Sequence, residues 1–296
     1  MRAIFILWGL CLSMGVNAQM LDNSNCDVFS ENNFFNDEFI RKNGIIGINS
    51  TISSKQEMKP IKETGLWQQY DFDKYGRVKR MMETKKVGSI VDTSLVEFKY
   101  AGDRLNKKRL SDASGFYSYA YQYNDQGKLT QKTYSREVNA NPYKHKFELK
   151  QLIEIYKERY EHTKISNASS KVMVYNSSDK PFQKLFTQYD EYGNLIKETA
   201  TLVVTKKGSA INYEYDAYHR PIKKTEVNNL MGKEEYRYEY DYDEAGNLLE
   251  ERTYLNDEHT TTRQFLYDGR MLLSARLTKD IKTGTIQIVK YTCQFD

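Results

Sequence analysis

The feature that most constrains this chain is a short motif that recurs along it without gaps. The motif reads aromatic, Asp, two variable residues, Gly, a polar residue and an aliphatic residue. Its clearest copies are 72–78, 189–195 and 242–248, and 123–129 fits with Asn in place of Asp. Degenerate or shortened copies begin at Tyr100, Tyr175, Tyr215 and Tyr267. Such self-similarity at short intervals is typical of repeat proteins, in which each unit packs against its neighbours.

The motif itself predicts a tight turn between two strands. An Asp at the first turn position can accept a hydrogen bond from a backbone N–H two residues later. A Gly three residues after that Asp supplies the left-handed conformation that closes a type I turn with a bulge. We therefore expect structural turn roles for Asp73, Gly76, Gly127, Asp190, Gly193, Asp243 and Gly246.

The segments that flank the motif alternate in character, as strands do. Tyr236, Tyr238, Tyr240 and Tyr242 alternate with charged residues, and a period of two places the tyrosines on one face. A single hairpin is barely stable alone, so neighbouring hairpins must pair edge to edge. We predict a mainly all-β fold, in which tandem β-hairpin repeats form an extended, twisted or curled antiparallel sheet, or a partial spiral, with a short N-terminal helix.

The remaining segments suggest how the chain is divided. Ser30 could cap a helix in which Phe34, Phe35, Glu38, Phe39 and Ile40 follow at near-helical spacing. This helix would end at Asn43-Gly44, and a strand should follow from Ile45. The expected division is a signal peptide at 1–18, a lead with this helix and strand at 19–66, repeats at 67–135, an insert at 136–171 and further repeats at 172–296. The insert could be a helix or a long hairpin.

The first residues predict export. Arg2 precedes an apolar stretch that is too short to span a bilayer comfortably, and Val16-Asn17-Ala18 has small residues where a signal peptidase reads, so we expect cleavage before Gln19. The mature chain would then reside in the periplasm, at the cell surface or outside the cell of a Gram-negative bacterium, with no further membrane span. Its two cysteines, Cys26 and Cys293, could form one disulfide or remain unpaired thiols.

The composition and motifs argue against several function classes. The net charge of +4 is small and the charges alternate in sign, which does not favour nucleic-acid binding. No His pairs with Cys or another His at metal-ligand spacing, and no phosphate loop, dinucleotide fingerprint or nucleophile elbow occurs, so we expect no metal and no cofactor. A non-catalytic protein is predicted. The alternative is a hydrolase that acts on polysaccharide through a pair of Asp or Glu residues.

Tyrosine is the unusual component, with 24 residues. Most of these rings are expected to pack on the face of a sheet, but Tyr75, Tyr192 and Tyr218 occupy variable turn positions that strand packing does not require. Exposed rings can stack on sugar faces, and repeated weak sites bind with avidity. These three tyrosines are the candidate ligand-binding residues, with a carbohydrate or an envelope protein as the partner.

The Tyr-Asp-x-x-Gly-Asn-Leu pattern resembles the YD repeat, or Rhs repeat, over about residues 67–135 and 172–291. The family includes bacterial Rhs toxins, animal teneurins and many short exported proteins of Bacteroidetes-type bacteria. The resemblance implies an exported β-repeat protein and the carbohydrate binding often ascribed to this family. In large members the repeats wind into a hollow shell around a toxin, but this chain has far fewer repeats, so toxin delivery is not expected.

Overall fold

The computed structural model describes residues 19–24, 34–112, 114–141, 146–230 and 232–296. Within these ranges the chain has one short helix, α1 (Asp37–Lys42), and eighteen strands. The strands are β1 (Ile45–Lys55), β2 (Lys62–Phe72), β3 (Val78–Val87), β4 (Ile90–Ala101), β5 (Arg104–Asp112), β6 (Gly115–Tyr123), β7 (Leu129–Asn139), β8 (Leu149–Ser166), β9 (Ser169–Tyr175), β10 (Pro181–Tyr189), β11 (Leu195–Leu202), β12 (Gly208–Tyr215), β13 (Pro221–Asn228), β14 (Glu234–Tyr242), β15 (Leu248–Leu255), β16 (Glu258–Tyr267), β17 (Leu273–Asp280) and β18 (Ile286–Phe295). The expected signal peptide, the Ser30 cap and Cys26 lie outside the described residues.

The strands form a closed antiparallel barrel. Each strand pairs with its neighbours in sequence, and β1 also pairs with β18, with Ile48 opposite Cys293 and Ile52 opposite Val289. The prediction of an extended open sheet or partial spiral is therefore wrong. An open array would leave β1 and β18 as unpaired edges, and closure satisfies the backbone hydrogen bonds of both strands.

The pairing register identifies the strand face that points into the barrel. Tyr70 on β2 lies opposite Met81 on β3, and Met81 lies opposite Val96 on β4. Residues directly opposite in an antiparallel pair project from the same face. Tyr70 belongs to one buried cluster with residues of distant strands, among them Tyr240 and Phe265. Side chains from opposite sides of a closed sheet can meet in this way only inside it, so this face lines the lumen.

The segments before β1 fill part of this lumen. We call residues 19–24 and 34–44, which include α1, the plug. Asn36 accepts a hydrogen bond from the backbone N–H of Phe39 at 3.0 Å and begins α1. The ring of Phe35 packs edge-on against Tyr70 and Phe72, with centroids 5.2 and 5.4 Å apart. Leu21 pairs with Phe35 through an isolated β-bridge, so both parts of the plug pack together.

The plug packs against only part of the barrel wall. The buried cluster around it draws residues from strands β1–β4, β11, β12 and β14–β18, and within the described ranges it contains none from β5–β10. The described part of residues 136–171 contains the end of β7, all of β8 and the first residues of β9. On the outer face here, the Glu137 side chain is fully buried and accepts a hydrogen bond from Arg109 at 2.5 Å. The guanidinium of Arg109 lies 3.9 Å from the ring centroid of Phe147.

Tyrosine hydroxyls join five of the motif hairpins to the preceding hairpin. Tyr242, which opens one motif copy, donates a hydrogen bond to the backbone carbonyl of Pro221, which ends the preceding copy, at 2.6 Å. Equivalent hydrogen bonds run from the hydroxyl of Tyr100 to the carbonyl of Val78, from Tyr123 to Leu105, from Tyr215 to Leu195 and from Tyr267 to Leu248. The motif therefore encodes contacts between repeats as well as the turn within each repeat.

No helical segment in the described ranges combines the length and the apolar character needed to cross a lipid bilayer.

Candidate functional site

The motif turns lie together at one end of the barrel. They connect even-numbered strands to the next odd-numbered strand, and successive hairpins of an up-and-down barrel alternate between its two ends. We call this end the turn rim; it contains residues 73–77, 124–128, 190–194, 216–220, 243–247 and 268–272. The degenerate copy at 175–181 joins β9 to β10 and therefore lies at the opposite end.

The turn at Asp190 shows how the motif folds. Its Oδ1 accepts hydrogen bonds from the backbone N–H groups of Tyr192 and Asn194, at 2.9 and 2.8 Å. Gly193 has a φ of +88° and donates to the Asp190 carbonyl. Asp73 and Asp243 accept from the backbone N–H four residues later in the same way, and Gly76, Gly127 and Gly246 also have positive φ.

The Asp73 carboxylate, in the β2–β3 turn, is stabilised in its charged form. Partial burial alone would raise the pKa of Asp73, but hydrogen bonds from the Arg77 side chain and from the backbone N–H groups of Arg77 and Tyr75 outweigh it, and the pKa is lowered. The Arg77 guanidinium donates to Asp73 Oδ2 at 2.7 Å. This carboxylate is therefore occupied in holding the turn.

The three candidate tyrosines all extend from the turn rim and are well exposed. Tyr192 and Tyr218 are exposed by 70% and 78%, and they lie on the adjacent β10–β11 and β12–β13 hairpins. The Tyr192 ring contacts His219, with centroids 4.8 Å apart. Tyr75 lies on the β2–β3 hairpin, in another part of the rim, with Arg77 4.7 Å from its ring. The structure thus brings the hairpins of Tyr192 and Tyr218 together and places Tyr75 elsewhere.

His219 occupies the position at which other copies of the motif have Gly. Its φ is +62°, so the residue adopts the left-handed conformation that this turn requires. Its Nδ1 lies 3.0 Å from Nδ2 of Asn194 on the neighbouring hairpin. The contact joins the two hairpins that carry Tyr192 and Tyr218.

A cavity of about 570 Å³ lies inside the barrel directly below these two hairpins. We call it the rim cavity. Asn194 and His219 line it at the rim, and Glu198 and Lys224 line it further inside, on the lumen faces of β11 and β13. Ser24 of the plug completes one side. Hydrogen-bond donors and acceptors therefore line the cavity, and the exposed rings of Tyr192 and Tyr218 belong to the two hairpins beside it.

The polar groups of the rim cavity are held by specific partners. The Tyr213 hydroxyl donates a hydrogen bond to Glu198 Oε1 at 2.5 Å. Lys224 lies opposite Tyr213 in the β12–β13 pair, and its Nζ is 5.2 Å from the ring centroid of Tyr238. A fixed carboxylate, a fixed ammonium group and phenol hydroxyls can recognise a polyhydroxylated ligand, since such a ligand both donates and accepts hydrogen bonds.

The carboxylates of the rim cavity bear on the alternative of a polysaccharide-acting hydrolase. Glycosidases of the common type place two carboxyl groups on either side of the scissile bond. Among the described residues that line the rim cavity, Glu198 is the single carboxylate. Throughout the described ranges, no three His, Cys, Asp or Glu side chains are grouped so that they could hold a metal ion.

Sequence reasoning singled out the exposed tyrosines at the hairpin tips but not the residues that line the cavity inside the barrel. Glu198, Tyr213 and Lys224 belong to alternating strands, and the alternation shows which residues share a face. It does not show which face points inward, because the direction of curvature depends on closure between β1 and β18.

No family model and no curated protein matches the chain. Among solved structures, a porin-like protein from Bacteroides uniformis aligns with 84% of this chain and 98% of its own, at 10% identity and a TM-score of 0.38. A porin-like protein from Bacteroides vulgatus aligns with 83% and 97%, at 6% identity and a TM-score of 0.32. The complex TcdB2–TccC3–Cdc42 aligns with 76% of this chain and 15% of its own, at 13% identity and a TM-score of 0.30. TM-scores of this size do not establish a shared fold.

Proposed function

We propose that this chain is an exported, non-catalytic binding protein of the bacterial envelope that takes carbohydrate at the rim cavity. The export step rests on the signal-like sequence at 1–18. The repeated turn motif supports its assignment as a short member of the YD-repeat family. An envelope protein that presents a glycan is the second partner consistent with this site.

The observation that carries the proposal is that the exposed Tyr192 and Tyr218 directly precede Gly193 and His219, which line a polar cavity. Sugar rings present apolar C–H faces and polar hydroxyl edges, so they bind where aromatic rings and hydrogen-bonding groups occur together. Tyr192 and Tyr218 offer the rings, and Glu198 and Lys224 offer the polar groups. The cavity volume of about 570 Å³ is within the range typical of small-ligand sites.

A glycan array followed by titration of the strongest hit tests the proposal. The double variant Tyr192→Ala/Tyr218→Ala should lose at least about tenfold in affinity, since stacking contacts contribute on the order of 1 kcal/mol per ring. Tyr75→Ala is the matched control, because it removes an exposed rim tyrosine away from the cavity, and it should bind as the wild type does. Failure of the wild type to bind any glycan would contradict the proposal, as would full affinity in the double variant.

The same experiment separates binding from hydrolysis. Reducing ends are counted after prolonged incubation of each bound glycan with the wild type and with Glu198→Gln. Binding without release of reducing ends is expected. Release by the wild type that Glu198→Gln abolishes would favour the polysaccharide-acting hydrolase instead.

A further inference from the structure

The two ends of the barrel differ in the chemistry of their connections. At the turn rim, each clear copy of the motif begins with an Asp whose carboxylate holds the turn. At the opposite end, which we call the far rim, three connections carry lysines and exposed aliphatic side chains instead. We call these three connections, residues 55–62, 86–91 and 203–207, the lysine tips. The two ends therefore present different surfaces to their surroundings.

Each lysine tip exposes large aliphatic side chains that do not pack on the barrel. Met58 in the β1–β2 connection is 97% exposed, Ile90 at the β3–β4 turn is 69% exposed, and Val204 between β11 and β12 is 86% exposed. Further aliphatic residues of the first two tips are more than half exposed, namely Ile61, Val87 and Val91. Met58 also has a φ of +60°, which Gly or Asn adopts at lower cost. Neither packing nor turn geometry requires an apolar side chain at this position.

Lysines surround these aliphatic side chains. The lysine tips contain one carboxylate, that of Glu57, and six lysines, namely Lys55, Lys59, Lys62, Lys86, Lys206 and Lys207. Throughout the described part of the chain, none of these six lysines forms an ion pair. Two acidic residues of neighbouring connections at the far rim, Asp179 and Asp257, lie beside Arg159 and Arg237, at 2.8 and 3.4 Å. The lysine tips are therefore complementary to an anionic surface.

The lysine tips are spread around the end of the barrel. The β1–β2 and β3–β4 tips are successive connections at the far rim, whereas the β11–β12 tip is separated from them by the six strands β5–β10. Three points on a ring define a plane, so the tips can contact one flat surface together. A pocket or groove on a partner protein would meet one or two of them. The arrangement therefore favours an extended surface as the partner.

We propose that the far rim docks on a bilayer that contains anionic lipid, with the aliphatic side chains inserted and the lysines at the level of the head groups. Segments that bind membrane surfaces combine buried apolar area with attraction to anionic lipids. Long lysine side chains keep their ammonium groups in water while apolar residues beside them insert. In this orientation the turn rim points away from the membrane, and the rim cavity remains accessible from solution.

Co-sedimentation of the mature chain with lipid vesicles tests this proposal. One set of vesicles contains phosphatidylcholine alone, and the other contains phosphatidylcholine mixed with phosphatidylglycerol. Neither lipid carries a glycan, so binding of sugar at the rim cavity cannot imitate docking. The wild type should bind the mixed vesicles, bind phosphatidylcholine alone at least about tenfold more weakly, and lose affinity as salt is added.

Two variants remove the two components of the far rim separately. Met58→Ser/Ile90→Ser removes aliphatic area without changing a charge, and Lys206→Gln/Lys207→Gln removes two charges. Each variant should lose at least about fivefold in affinity for the mixed vesicles. All four residues are exposed, and circular dichroism confirms that both variants are folded.

The controls change matching side chains at the turn rim. Tyr75→Ser removes an exposed ring and Arg270→Gln an exposed cation, and both variants should bind vesicles as the wild type does. Absence of wild-type binding to the mixed vesicles would overturn the proposal. Equal affinity for phosphatidylcholine alone, or unchanged binding in both far-rim variants, would overturn it as well.

A fluorescent probe tests the orientation on the membrane. An environment-sensitive fluorophore is attached through Ser89→Cys at the β3–β4 turn, or through Glu191→Cys at the turn rim, in a chain that carries Cys26→Ser and Cys293→Ser. Mixed vesicles should shift the emission to shorter wavelength for the probe at 89 and leave the probe at 191 unchanged. An equal shift at both positions, or a shift at 191 alone, would show that the far rim is not the docking surface.

Discussion

At the scale of single residues, positions in the motif have separable physical roles. The Gly position requires a left-handed backbone, and His219 and Met271 adopt the same conformation, with a φ of +62° each, where Gly is missing. The opening aromatic position serves the contact between hairpins through its hydroxyl. Phe72 opens the first copy, where no earlier copy provides a carbonyl, and it has no hydroxyl. This residue choice follows directly from the bond that later tyrosines make.

Substitution of two motif glycines by Ala should separate backbone strain from packing. Gly76 and Gly193 have nearly the same φ, +86° and +88°. A Cβ on Gly193 would meet no atom within 4 Å, whereas one on Gly76 would lie 1.9 Å from the backbone carbonyl oxygen of Asp37 in α1. We expect Gly193→Ala to lower the free energy of unfolding by about 1–2 kcal/mol. Gly76→Ala should lower the free energy of unfolding by roughly 1–3 kcal/mol more than Gly193→Ala does, because α1 must move. Urea unfolding measures the stability of both variants. Equal losses in the free energy of unfolding would show that α1 does not pack closely against the Gly76 turn.

Removal of one hydroxyl between hairpins should weaken the barrel without changing its shape. Tyr242→Phe deletes the bond to the Pro221 carbonyl and the bond that the Asn23 side chain donates to the same hydroxyl at 2.8 Å. We expect a loss of about 1–2 kcal/mol in the free energy of unfolding. Tyr192→Phe, at an exposed ring, serves as the control and should change stability by less than about 0.5 kcal/mol. The same small change in both variants would contradict a structural role for the hydroxyl.

At the scale of elements, local sequence identified the turns well and the plug poorly. The end of α1 follows from Asn43 and Gly44, and its start at Asp37 follows from the Asn36 cap. The expected cap, Ser30, lies earlier in the chain, and Phe34 and Phe35 precede the helix. Their near-helical spacing reflects packing of both rings against Tyr70. Tertiary contacts can produce an apolar pattern that resembles helical periodicity.

The β7–β8 region offers a prediction about a buried ion pair. The Glu137 side chain has no exposed surface and contacts Arg109 and Lys107, whereas Glu97 contacts the same Arg109 but is 34% exposed. We expect Glu137→Gln to lower the free energy of unfolding by about 3–5 kcal/mol, because the partly buried Arg109 and Lys107 lose their fully buried carboxylate partner. Glu97→Gln should lower the free energy of unfolding by less than about 1 kcal/mol, as is usual for ion pairs near the surface. Chemical unfolding compares the two variants, and similar losses would mean that this region is hydrated.

At the scale of the whole molecule, closure was the feature that the sequence did not reveal. Each repeat specifies its own turn and its bond to the preceding hairpin, and these contacts are local. The β1–β18 ladder joins the two ends of the array, and its residues, such as Ile52 opposite Val289, lie outside the clear copies of the motif. Because closure fixes which face is inside, the lumen residues Glu198 and Lys224 could not be assigned to a site beforehand. The exposed tyrosines could be singled out as candidate residues from the sequence, since hairpin tips are exposed whether or not the sheet closes.

Cys293 can report on this seam, because it lies on β18 opposite Ile48 and packs against the buried cluster. Non-reducing mass spectrometry of the mature protein first tests whether Cys293 is bridged to Cys26 or is an unpaired thiol. In a Cys26→Ser variant Cys293 cannot form this bridge, so its thiol is available for alkylation. Burial raises the pKa of Cys293 to about 11, from an ordinary value of 9.0. Near pH 8 the reactive thiolate should therefore be scarce in the folded state.

Alkylation of Cys293 near pH 8 should accordingly be slow in the native barrel and fast in urea. The control is Lys290→Cys in a chain without Cys26 and Cys293, because position 290 is exposed on the same strand and should react rapidly. The raised pKa also fixes the sign of a pH effect. The contribution of the Cys293 thiol to stability is complete below about pH 9 and is lost as the pH rises through the pKa of the folded state, about 11. Native Cys293 that reacts as fast as the thiol at 290 would mean that the β1–β18 ladder opens freely, and the barrel would then behave as an open sheet.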